Sequence, residues 1–181
     1  LYKKYKSQGI SKFDISRKIQ KEIDLQKILQ GASAKWDGGY VFCGMLGHGD
    51  AFVLRDPAGI RPAFYYQDDE VVVIASERPA IQTAFNLSSK EIKEIPHGNA
   101  IIIKRDGNIS IKECNTPTLN KQCSFERIYF SRGTDKDIYQ ERKHLGANLL
   151  PYILQSVDND LKNTIFSYIP NTAQVAFNGL I

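Results

Sequence analysis

Proton transfer, metal ligation and nucleophilic attack need histidines, thiols or grouped acids, and this chain has few of them: three histidines and three cysteines among 181 residues. His48, between Gly47 and Gly49, has the chemistry of a general base. With no nucleophile close by in sequence, it reads as a turn residue. His97, beside Gly98, reads the same way, and His144, next to Arg142 and Lys143, reads as a solvated helix residue. Asp68, Asp69 and Glu70 are metal-type carboxylates without further ligands at matching spacing, so they read as a hairpin tip. Cys43 lies in an apolar run and reads as core. Cys114 has no partner at ligand spacing, and Cys123 follows a polar stretch. Arg132 and Arg142 are of the type that reaches phosphates. Asn171 and Thr172 precede the last helical pattern, where either could cap it.

Composition narrows the class. Hydrophobic residues at 42% and charged residues at 24% are the balance of a globular protein. No apolar run approaches the roughly 20 residues of a membrane-spanning helix. The start, LYKKYKSQGISKFD, lacks the apolar core of a signal peptide. Three scattered cysteines do not make a disulfide framework, and the expected compartment is reducing and cytoplasmic. The net charge is +4, concentrated in Lys3, Lys4, Lys6, Lys12, Arg17, Lys18 and Lys21. Without a docking motif that cluster reads as a solvated helix face, so neither nucleic acid nor membrane is the expected partner.

The elements follow from periodicity. Ile15, Ile19, Ile23, Ile28 and Leu29 recur near helical spacing and predict one amphipathic helix between Ser11 and Gly31, ended by that glycine. From Gly38 to Cys114 the texture is short strands with turns: YVFCGML and AFVLR about GHGD, then AFYY and VVVIAS about QDDE. RPAIQTAF, with Pro79 in its first turn, predicts a helix that Ser76 or Glu77 could cap. NAIIIKRDGNISIKE predicts a hairpin turning at Asp106-Gly107-Asn108. Strands and helices segregate, which indicates α+β. The expected organisation is 1–114, a linker at 115–122 and a second region at 123–181. In that region a helix from about Ile138 to Val157 is interrupted by Gly146 and Pro151, and TIFSYIP is a buried-strand pattern before a final helix.

RDPAGIRP, Arg55 to Pro62, combines two φ-fixing prolines, a permissive glycine and an aspartate able to accept from nearby amides. It predicts a rigid, structural loop. LRDPAGIRPAFYY, VVVIASERPAI and IKEIPHGNAIIIKRDG together resemble the later part of the class II glutamine amidotransferase domain. CSFERIYFSRGTDKDIYQERKHLG is similar to the junction motif of the amidophosphoribosyltransferase family, and IFSYIPNTAQVAF to the start of that family's phosphoribosyltransferase domain. The resemblance runs from about Trp36 to Ile181. It departs at Arg132-Gly133-Thr134-Asp135, where the family usually has R-P-D-S.

The resemblance implies an incomplete N-terminal-nucleophile hydrolase-type αββα sandwich, followed by the first βα element of an α/β phosphoribosyltransferase domain. It implies a purine-biosynthesis enzyme, a magnesium-using homo-oligomer acting on glutamine and phosphoribosyl pyrophosphate. It places Cys123 where some members have an iron–sulfur cluster ligand, and Thr172 where a hydroxyl meets magnesium. Leu1 is not the family's nucleophilic cysteine and no catalytic residue is identified, so the chain is expected to be a fragment, inactive alone. The alternative is a catalytically silent regulatory or scaffolding module derived from a class II amidotransferase.

Overall fold

The computed structural model describes residues 1–181. The chain forms two compact units, Leu1–Ala63 with Glu94–Gln122, and Phe64–Lys93 with Cys123–Ile181.

The first unit is built on a four-stranded antiparallel sheet in the order β1-β2-β6-β7, comprising β1 (Val41–Met45), β2 (Ala51–Arg55), β6 (Asn99–Ile103) and β7 (Ile109–Glu113). Both expected hairpins form. Gly49, at φ +105°, and Gly107, at φ +88°, supply the left-handed backbone that their tight turns need. Register pairs Phe52 with Ile102 and Leu54 with Ala100. Strand side chains alternate between faces, so these four share one. They form a core with Leu25, Leu29 and Cys114, backed by Tyr40 and Leu46.

The helical segment before the sheet departs from expectation. It is three helices, α1 (Tyr2–Ser7), α2 (Lys12–Glu22) and α3 (Leu25–Ser33). The single predicted helix breaks at Ile23, whose backbone is extended, and at Asp24, whose carboxylate accepts from the Lys27 amide at 3.1 Å. A short acidic side chain offers the backbone a local alternative to the helical ladder, and here it starts a new helix. Gly31 does not end α3. Burial of Leu25, Leu29 and Ser33 along one face carries the helix to Ser33. Cys43 is exposed rather than core, because β1 is an edge strand with Phe42 and Met45 also exposed.

The second unit holds β3 (Phe64–Gln67) and β4 (Val72–Ala75), an antiparallel pair, with β5, which begins at Lys93, on the other edge of β3. Asp68 closes the β3–β4 turn by accepting from the Glu70 and Val71 amides, as a hairpin tip should. Helix α4 (Arg78–Phe85) packs on this pair through Ile81. Glu126–Phe130 forms one π-helical turn, and α5 (Lys136–Ser156) runs continuously through Gly146 and Pro151. Helix α6 (Gln174–Leu180) packs on α5 at two glycines: a Cβ at Gly146 would land on the Ala176 carbonyl, and one at Gly179 on that of Lys143. TIFSYIP is not a strand. Thr164, Phe166 and Tyr168 are half-buried, while Ile165 and Ile169 are 95% and 82% exposed. The alternation is that of a strand, but the segment joins neither sheet and has no ladder of hydrogen bonds, which a strand needs.

Candidate functional site

The most constrained part of the first unit is the loop that follows β2. Arg55 and Asp56 are buried, at 1% and 0% exposure. The Asp56 carboxylate accepts from the amides of Ala58, Ile60 and Arg61 at 3.1, 2.9 and 3.1 Å. Arg55 points the other way. Its guanidinium donates to the carbonyls of Arg61 (2.8 Å), Ile95 (2.6 Å) and Gly59 (3.2 Å), and meets Glu94 at 2.7 Å. Gly59 has φ +63°, and a Cβ there would enter the His97 ring. Residues 115–121 are strapped to this loop, Thr118 N–H donating to Pro57 and Lys121 N–H to Ala58, both at 2.8 Å. The loop is a polar hub that shapes backbone, the structural role its prolines and glycine indicate; it presents no nucleophile.

A second buried acid ties two hairpin tips of that sheet. Asp50, 2% exposed, accepts from Lys104 Nζ at 2.6 Å and from the Arg105 amide at 3.0 Å, and His48 Nε2 lies 3.2 Å away. Burial alone would raise the pKa of this carboxyl. The Lys104 ammonium, the Arg105 amide and His48 outweigh it and bring the value to about 2, from 3.8. A lowered folded-state pKa stabilises the native protein above the unfolded value, and that contribution is lost as pH falls through the folded one. Asp50→Asn is expected to lose about 2 kcal/mol near neutral pH. The gap from wild type should shrink below about pH 4 and close near pH 2; urea midpoints across that range are the check.

In the second unit, the ends of two helices are joined by charge. Arg78, in the first turn of α4, places Nε 2.9 Å from Asp135 Oδ2 and Nη2 2.6 Å from Asp135 Oδ1 and from Asp137 Oδ2. Asp135 also caps α5, accepting from the amides of Asp137 and Ile138. Burial would raise the pKa of Asp135, but the Arg78 guanidinium and these amides hold it below the usual carboxylate value. Glu77, just before Arg78, makes no side-chain cap bond on α4; its Oε2 lies 3.2 Å from Arg132 Nε.

The remaining candidates fall in different places. Arg142 is buried and donates to the carbonyls of Arg127 and Ser131, so it braces the π-turn rather than facing solvent anions. Arg132 is exposed, and His144 is solvated on α5. Neither Asn171 nor Thr172 caps α6, whose N-cap is Ala173 without a side-chain bond; Thr172 is exposed. All three cysteines are free thiols, Cys123 half-buried. No three His, Cys, Asp or Glu residues gather where they could hold a metal. A polar hollow of about 310 Å³ is lined by Tyr65, Gln67, Glu91 and Lys93. No helix is long and apolar enough to cross a membrane. The fork of Arg78 on Asp135 was missed by sequence reasoning. Its partners are 57 residues apart, and only the capping pattern at Asp135 was there to be noticed.

No family model matches the chain. Three curated proteins called amidophosphoribosyltransferase are similar to it. The one from Rhizobium etli is 32% identical over 126 residues, 65% of this chain and 25% of that protein. The one from Escherichia coli is 30% identical over 146 residues, 75% of this chain and 28% of that protein. The one from Lachancea kluyveri is 29% identical over 163 residues, 83% of this chain and 31% of that protein. Among solved structures, glutamine phosphoribosylpyrophosphate amidotransferase from B. subtilis, complexed with ADP and GMP, superposes with a TM-score of 0.64 at 22% identity, over 98% of this chain and 39% of that one. A second, described as the allosteric regulatory enzyme of purine biosynthesis, gives 0.63, over 98% and 38%. At that identity the structures speak for the fold alone, α+β with antiparallel sheets. Over the stretch they share, 25–31% of the three curated proteins' length, this chain is a relative of the amidophosphoribosyltransferases.

Proposed function

We propose that this chain is part of an enzyme that uses glutamine-derived ammonia to convert phosphoribosyl pyrophosphate into phosphoribosylamine, releasing pyrophosphate in purine biosynthesis. The supporting observation is similarity that reaches across 83% of the chain, both sides of residues 115–122 included. On this reading residues 1–114 belong to an N-terminal-nucleophile-type amidotransferase domain and 123–181 open a phosphoribosyltransferase domain.

The chemistry is two substitutions in series. A terminal cysteine thiol, with its own α-amine as base, attacks the glutamine side-chain amide, giving a thioester and ammonia; water then releases glutamate. Ammonia attacks C1 of phosphoribosyl pyrophosphate, and pyrophosphate leaves with the bonding electrons. Magnesium and an iron–sulfur cluster are the groups this family suggests, with Thr172 and Cys123 as the residues to hold them. The residues present do not fit either group unaided: a cluster takes four thiolates and the chain has three cysteines, and no acidic residues gather for a cation. The assembled enzyme is a homo-oligomer on the same reading.

The test is pyrophosphate release from phosphoribosyl pyrophosphate, with and without glutamine, by the full-length natural polypeptide and by this chain beside it. Glutamine-dependent release by the long form alone is the expected result. No release by a folded, magnesium-supplied long form would move the assignment to a catalytically silent module.

A further inference from the structure

We propose that Arg78 is a positioning residue that keeps glutamine hydrolysis coupled to phosphoribosyl transfer, by latching the start of α4 to the start of α5. The proposal rests on the function read above. Its basis is that the second compact unit takes its residues from both sides of the 115–122 connection: Phe64–Lys93 packs with Cys123–Ile181. A stretch assigned to the glutamine-hydrolysing part is thereby built into the same body as the stretch that opens the acceptor part.

The latch has three ion pairs, two of one sense and one of the other. Arg78 grips Asp135 and Asp137, while its neighbour Glu77 faces Arg132. Sliding one stretch past the other would set Glu77 against Asp135 and Arg78 against Arg132, so the crossed signs admit one register. The Arg78 grip is strong for physical reasons. It is a planar fork on a carboxylate with two parallel bonds, and the Asp135 side chain is only 6% exposed. The far end of the latch is rigid as well. Helix α5 meets α6 backbone to backbone at Gly146 and Gly179, with no soft side chain between them, so a shift at the start of α5 is carried to α6.

Each turnover of a coupled enzyme makes one glutamate and one pyrophosphate; an uncoupled one hydrolyses glutamine to glutamate and free ammonia without acceptor. The experiment measures both products from the full-length polypeptide with Arg78→Gln, and separately its pyrophosphate release driven by added ammonium. The expected result is a glutamate-to-pyrophosphate ratio raised by at least about fivefold, ammonium-driven release unchanged, and an intermediate ratio in Arg78→Lys, which keeps the charge but not the fork. A ratio that stays at one in folded Arg78→Gln overturns the proposal. If Arg78→Gln does not fold, Asp137→Asn removes only the exposed arm and leaves the α5 cap; a raised ratio supports the latch and an unmoved one overturns it. Wild type without glutamine-dependent release would instead remove the function reading itself, and the latch with it.

Discussion

Arg55→Ala is expected to cost about 3–5 kcal/mol of stability, read as a fall in the urea midpoint. The loss does not come mainly from the ion pair, because Glu94 is 40% exposed and water can replace its partner. It comes from the carbonyls of Gly59, Arg61 and Ile95, which all lean on one guanidinium. Leaving a buried acceptor unmet costs about 1–3 kcal/mol, so three of them account for the total. Arg55→Lys separates charge from geometry. A single ammonium on a flexible stem cannot serve three carbonyls in different directions, and most of the loss should remain. A fall of less than about 1 kcal/mol in Arg55→Ala would show that the loop after β2 holds its shape without the hub.

Gly146→Ala is the second large effect, and its sign is unusual. In an exposed helix interior, alanine is favoured over glycine by about 1 kcal/mol. Gly31, on α3, has open space where a Cβ would go, so Gly31→Ala should stabilise by about that much. At Gly146 the same methyl meets the Ala176 carbonyl, which is backbone and cannot swing away. Overpacking of this kind costs about 1–3 kcal/mol or more, so the clash exceeds the propensity gain and α6 is pushed off α5. The measurement is the pair of unfolding midpoints, together with protease sensitivity of the last fifteen or so residues. Equal, positive shifts at the two glycines would sink the close packing of α5 on α6.

What could be read from residues alone was local. The hairpins at Gly47–Asp50 and Asp106–Asn108, the helix begun by Pro79 and the stiff loop at Asp56–Pro62 depend on turn residues acting over a few positions, and all are present. What could not be read depends on competition or on distance. The split between α2 and α3 turns on whether Asp24 prefers its own backbone bond to a continued helix, which periodicity does not reveal. Cys43 looks like core because its neighbours are apolar, yet burial needs a strand on the far side of β1. TIFSYIP carries the pattern of a buried strand and shows its alternation without its hydrogen bonds. Of the candidate site, the turn roles of His48 and of Asp68 were legible, since His48 sits in the turn 3.2 Å from Asp50 and Asp68 bonds within its own hairpin. The Arg78 fork was not, because it joins residues 57 apart. The roles of Thr172 and Cys123 rest on resemblance.

The interleaving of the two units has a consequence for how the chain is made. Neither unit is one continuous stretch: the first opens at Leu1, pauses after Ala63 and resumes at Glu94, and the second does the reverse. On a ribosome, β1 and β2 emerge early but wait for β6 and β7 before their sheet is whole, while the strands of Phe64–Lys93 leave the tunnel sooner than the helices they pack with. No single cut divides the chain into two self-sufficient pieces. A chain ending near residue 122 would hold all of the first unit but only Phe64–Lys93 of the second, so that stretch would be made without the helices it packs with.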